Sequence, residues 1–112
     1  MEINKVMDEK LEEQVFSIIS QAGDAKSDVM YALRKIKNRD YKSARDLLSG
    51  ASNKLQEASE VHMELLSSAM SGEESTTNFL VVHAEDHFTN ASFAHSLISE
   101  LIDIFEEIDT RK

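Results

Sequence analysis

Apolar residues recur at steps of three and four along three stretches of the chain, with polar breaks between them. In the first stretch, from about Asp8 to Lys37, Leu11, Val15, Ile18, Ala22, Ala25, Val29, Leu33 and Ile36 form one stripe. Glu12, Glu13, Asp24, Lys26, Arg34 and Lys37 lie mostly off it. That spacing returns to one face of an α-helix and predicts a helix with a single buried seam. Gly23 within it costs about 1 kcal/mol relative to Ala, which marks it as a candidate kink or close helix crossing. Asn38-Arg39-Asp40 is the first break, and Asp40 is suited to cap the next helix because its carboxylate accepts free backbone N–H groups. The second stretch, from about Tyr41 to Met70, has the seam Ala44, Leu48, Ala51, Leu55, Ala58, His62, Leu65 and Ala69. Its small residues allow a neighbouring helix to approach closely, and Gly50 is its weak point.

Ser71-Gly72-Glu73-Glu74-Ser75-Thr76-Thr77 is the second and longest break. The third stretch, from about Thr77 to Ile108, carries two stripes. One is Leu80, Ala84, Phe88, Ala91, Ile98, Ile102 and Phe105. The other is Phe79, His83, Asp86, Asn90, Phe93, Leu97, Leu101, Ile104 and Ile108. A helix that is apolar on two sides needs cover on two sides, and three helices in one subunit cover only one of them well. The expected fold is therefore all-α: an antiparallel three-helix bundle, one domain over residues 1–112, that self-associates through its third helix.

Composition narrows the functions available. The chain has 112 residues, no Cys, no Pro, and 12 Lys+Arg against 21 Asp+Glu, for a net charge of −9. So acidic a domain lacks the clustered positive charge that nucleic acid binding needs, and it is ill suited to an anionic membrane surface. The absence of Cys excludes disulfides, thiolate chemistry and Cys-based zinc or iron–sulfur sites. No apolar run approaches the ~18–20 residues of a membrane span, and the N-terminus lacks the pattern of a signal peptide. The expected location is cytoplasmic.

The chemistry-bearing residues cluster near the start of the third helix. His83, Asp86 and His87 stand at i, i+3 and i+4 and share a general face. Three readings apply. Two His at i and i+4 are a metal clip, but the zinc-protease pattern needs Glu directly after the first His, where this chain has Ala84, and no third ligand follows. The histidines are otherwise structural, packed and hydrogen-bonded. In the third reading one of them is a nucleophile: a neutral imidazole accepts a phosphoryl group, and neighbouring polar groups fix its tautomer.

The string Val82-His83-Ala84-Glu85-Asp86-His87 resembles the signature of the enzyme IIA component of the lactose/cellobiose class of the bacterial sugar phosphotransferase system, roughly Val-His-(Ala/Gly)-Gln-Asp-His. Ala22-Gly23-Asp24-Ala25-Lys26-Ser27, Asn38-Arg39-Asp40-Tyr41, Glu57-Ala58 and Leu97-Ile98-Ser99-Glu100-Leu101-Ile102 resemble further stretches of that family, so the likeness runs from about residue 10 to 108. It implies a homotrimeric phosphocarrier. His83 accepts a phosphoryl group from the heat-stable phosphocarrier protein and passes it to a cysteine of enzyme IIB. His87 is a supporting group and His62 a second candidate for that role. Asp86, repeated around the threefold axis, holds a divalent cation, magnesium. Three carboxylates meeting on an apolar axis repel one another and need a cation or protons, and oxygen ligands favour a hard ion. The sugar itself is not bound by this component, and the Val-His-Ala form leans toward cellobiose or chitobiose over lactose.

Two positions leave the family pattern. Gln is usual at Glu85, and Gln is frequent at His62. Helix geometry sets Glu85 about 200° from His83, so Glu85 is expected to face solvent. His62 lies on the seam of the second helix, in a register that brings it toward the reactive end of the third. His95 lies off both stripes and is expected in solvent. The rival readings are a non-catalytic helical interaction module docking partners through the second apolar stripe, and a metal-binding bundle using His83, Asp86 and His87.

Overall fold

The computed structural model describes residues 9–72 and 79–111. They form three helices: α1 (Glu9–Lys37), α2 (Tyr41–Met70) and α3 (Phe79–Thr110). The expected starts at Asp8 and Thr77 lie outside the described residues, and α3 runs two residues past its expected end at Ile108.

The core divides along the bundle axis. At one end Leu11, Val15 and Ile18 of α1 meet Leu65 of α2 and Val81 and Ala84 of α3. At the other end Ala25, Val29, Ala32 and Ile36 meet Ala44, Leu48 and Ala51 of α2 and Ile98 and Ile102 of α3. The start of α1 therefore lies beside the start of α3 and the end of α2, which makes the bundle up-down-up. Ala22, Ala25, Ala32, Ala44, Ala51, Ala58, Ala84 and Ala91 are all buried. The small seam residues let the helices close up, with Ile18, Val29 and Ile102 as the largest fully enclosed side chains.

The structure departs from the expected seams at four positions. Val81 is buried and Leu80 is exposed, so the core stripe of α3 begins one residue later than expected. Ala32 is fully buried while Leu33 is half-buried, and Ala69 and Phe105 reach solvent. Gly23 faces open space, with nothing within 4 Å of where a Cβ would stand. No helix crossing depends on it, and α1 continues through it as one helix.

The α1–α2 turn is built by its backbone. Arg39 adopts φ 61°, the left-handed conformation that ends many helices, and its N–H bonds the Ile36 carbonyl at 2.9 Å. Asp40 then caps α2 by accepting from the Ser43 N–H at 3.2 Å. Its hydrogen bonds from Ser43 hold its carboxyl below the usual carboxylate range. Further polar links tie the helices. Lys54 donates to Asp28 at 2.8 Å across α1 and α2, a hydrogen bond that raises the lysine above its ordinary value. Arg45 reaches Asp103 at 3.0 Å and Glu106 at 2.5 Å across α2 and α3, and Tyr41 donates to Asp109. Among the described residues no helix is long and apolar enough to cross a membrane.

One face of α3 is left without cover in the single chain. Phe79 is 77% exposed, Phe93 68% and Ile104 50%, with Leu97 and Ile108 also open. This is the second stripe read from the sequence. Leu101, also assigned to it, is half-buried and packs against the core.

Candidate functional site

Burial of Val81 and Ala84 against α1 and α2 sets the rotation of the first turns of α3. With those residues inward, His83 is exposed and His87, one turn on, is half-buried. Their Nε2 atoms lie 3.2 Å apart, and their rings meet edge to face at 87° with centroids 4.6 Å apart. Two nitrogens at that separation share one proton: one ring donates and the other accepts with its lone pair. At least one of the two imidazoles therefore presents an unprotonated Nε2, as a nucleophile requires. Phe79, one turn before, stacks on the His83 ring at 11° and 5.9 Å. Asp86 is exposed on the same outer side. The structure thus brings His83 and His87 into contact and does not bring Asp86 into that pair. Among the described residues no group of three or more His, Cys, Asp or Glu side chains is placed to hold a metal ion.

His62 and Glu85 form a separate couple. Glu85 does not face solvent as expected. It is half-buried and lies on the α2 side of α3, where its Oε1 is 2.5 Å from His62 Nδ1. The 200° that separate it from His83 turn it away from that imidazole and toward α2. The His62 ring stacks on Phe88 at 5.1 Å. His62 thus meets Glu85 and Phe88, and it is not brought to His83. His95 is also corrected: it is half-buried and its Nε2 lies 2.9 Å from the Leu48 carbonyl. A carbonyl only accepts, so His95 Nε2 carries the proton. The signal was in the sequence, because Ala91, His95, Ile98 and Ile102 continue the core stripe at steps of four, three and four.

The model of the family described as "PTS system, Lactose/Cellobiose specific IIA subunit" matches residues 13–106. The chain belongs to that family. The lichenan-specific phosphotransferase enzyme IIA component of Bacillus subtilis is 32% identical over 106 residues, covering 95% of this chain and 96% of the relative. The crystal structure of the cellobiose-specific enzyme IIA of Bacillus anthracis superposes with a TM-score of 0.85 at 29% identity, over 95% of this chain and 97% of that one. The chitobiose IIA of Escherichia coli, solved in solution as a complex with HPr, gives a TM-score of 0.71 at 27% identity, over 91% of this chain and 99% of that one. As a lactose/cellobiose-type IIA subunit, the protein is a component of the sugar phosphotransferase system. Its three-helix fold is the one its solved relatives share.

Proposed function

We propose that this IIA subunit is a cytoplasmic phosphoryl carrier in the uptake of a sugar such as cellobiose or chitobiose, with His83 as the acceptor. The observation that carries the reading is the exposed His83 ring, hydrogen-bonded Nε2 to Nε2 with His87 on an open helix face. The phosphorus–nitrogen bond of a phosphorylated HPr breaks as the lone pair of His83 Nε2 forms its own bond to phosphorus, and the donor imidazole recovers its lone pair. In the second step a cysteine thiolate of the IIB partner takes the group and His83 is regenerated. Such transfers need little covalent help from the protein and depend on positioning and charge stabilisation. His87 supplies both: before transfer it orients the His83 ring, and afterwards its Nε2–H is within reach of a phosphoryl oxygen. The net charge of −9 suits a partner with a basic docking face, because complementary charge speeds encounter.

The uncovered face of α3 supports assembly as a homotrimer, in which Phe93, Leu97 and Ile104 of the copies cover one another. In that arrangement the Asp86 carboxylates of three copies would meet and hold a divalent cation, magnesium, which would neutralise their repulsion. Phosphoenolpyruvate, the general phosphotransferase enzyme I and HPr provide the test. The reading expects an acid-labile phosphate on the protein, and His87→Gln slows its formation without abolishing it. A protein that takes up no phosphate is a helical docking module instead.

A further inference from the structure

The His83–His87 contact has a second chemical use. A tetrahedral zinc ion binds imidazole nitrogen at about 2.0–2.1 Å, which sets two such nitrogens about 3.3–3.4 Å apart. The two Nε2 atoms already stand 3.2 Å apart, on rings set at 87° to each other. The i, i+4 spacing on a continuous helix fixes both Cα positions, so side-chain adjustment alone completes the bite. The ion replaces the single proton that the two nitrogens share. In the single chain His83 is exposed and His87 half-buried, so the remaining coordination positions face outward from the bundle. With two protein ligands the site is open and exchangeable, unlike the closed four-ligand sites that hold zinc structurally.

We propose that His83 and His87 form a two-imidazole clip for a borderline-soft transition metal, zinc above all, and that occupation of the clip and phosphorylation of His83 exclude each other. The first half stands on the geometry of the pair. The second half rests on the phosphoryl-carrier reading, since zinc and phosphorus would compete for the same Nε2 lone pair. The hard cation expected at Asp86 is a different site with oxygen donors.

Calorimetric titration of the unphosphorylated protein with zinc alone tests the clip without any phosphotransferase component. The expected result is one zinc per chain with a dissociation constant in the micromolar range. His83→Gln and His87→Gln each weaken it at least tenfold, while His62→Gln and His95→Gln leave it unchanged. Cobalt in place of zinc gives visible absorption bands of an imidazole-ligated ion in the unaltered protein, which keeps the test valid if a histidine variant misfolds. Absence of binding below millimolar metal, or binding that survives His87→Gln and vanishes with Asp86→Asn, overturns the proposal. Competition is then read by phosphorylating the protein: the phosphorylated form loses zinc binding, and zinc at saturating concentration slows phosphoryl uptake at least tenfold. Unimpaired zinc binding by the phosphorylated protein overturns the exclusion while leaving the clip in place. Failure of the protein to take up phosphate at all contradicts the carrier reading and not the clip.

Discussion

The couple between His62 and Glu85 carries a prediction that separates stability from chemistry. The two side chains are 32% and 26% exposed and meet at 2.5 Å, so their attraction is screened less than that of a surface pair. Exposed ion pairs contribute about 0.2–1 kcal/mol, and hydrogen bonds to charged groups about 1.5–3 kcal/mol. A half-exposed couple falls between, at about 1–1.5 kcal/mol of coupling. Glu85→Gln, His62→Gln and the double variant form a cycle that isolates this term. At about 2.1 cal/mol/K of unfolding entropy per residue, a chain of 112 residues loses about 4 °C in melting temperature per kcal/mol. Glu85→Gln is expected to lower the midpoint by about 4–6 °C, and the same change made in a His62→Gln background to have little further effect. Phosphoryl uptake changes less than about threefold in Glu85→Gln, under 1 kcal/mol in barrier, because Glu85 is turned about 200° from His83 and is held by His62. Additive melting shifts refute the coupling. A rate gain of tenfold or more refutes the separation, because it means that the carboxylate opposes the phosphate directly.

Other outcomes follow from single positions. Arg39→Gly removes a side chain from a left-handed backbone position, where an L-residue costs roughly 1–2 kcal/mol. Set against the greater freedom glycine gives the unfolded chain, the net gain is about 0.5–1 kcal/mol by chemical denaturation. His95→Ala removes the hydrogen bond to the Leu48 carbonyl and destabilises the protein by about 1 kcal/mol with no loss of phosphoryl uptake. Phe93→Asp places a charge on the uncovered face of α3; if that face builds the proposed trimer, analytical ultracentrifugation finds the unaltered protein as a trimer and the variant shifted toward monomer, and identical profiles for the two refute a trimer built through Phe93.

The architecture was legible because nothing in the chain competes with the helical period. Without proline and with three glycines, each seam runs uninterrupted, and Asp40 announces the cap that the Ser43 N–H completes. Sequence pattern and structure part at polar residues that the structure uses inside the bundle. His95 occupies a core slot between Ala91 and Ile98, but its polarity argued for solvent, and the partner that resolves the conflict is a backbone carbonyl 47 positions away. Helix geometry turns Glu85 away from His83, yet the far side of α3 is occupied by α2, where His62 receives it. A single-helix projection shows which residues share a face and not which face a neighbour covers. For the same reason Val81 displaced Leu80, since both fit a stripe and only packing against Leu11, Val15 and Leu65 decides between them. The His83–His87 pair was visible because both residues belong to one helix and their spacing is local. Gly23 lies within the residues matched by the family, but the open space above it gives no packing account of its presence.

The central claim is that the phosphoryl group is carried on His83. Incubation with phosphoenolpyruvate, enzyme I and HPr, applied to the unaltered protein and to His62→Gln, His83→Gln, His87→Gln and His95→Gln, tests it most directly when the acid-labile phosphate per chain is measured at long times. The account predicts near-stoichiometric phosphate on all but His83→Gln, which stays unphosphorylated while retaining its helical content. Phosphate that persists on His83→Gln and disappears with His87→Gln would contradict the assignment.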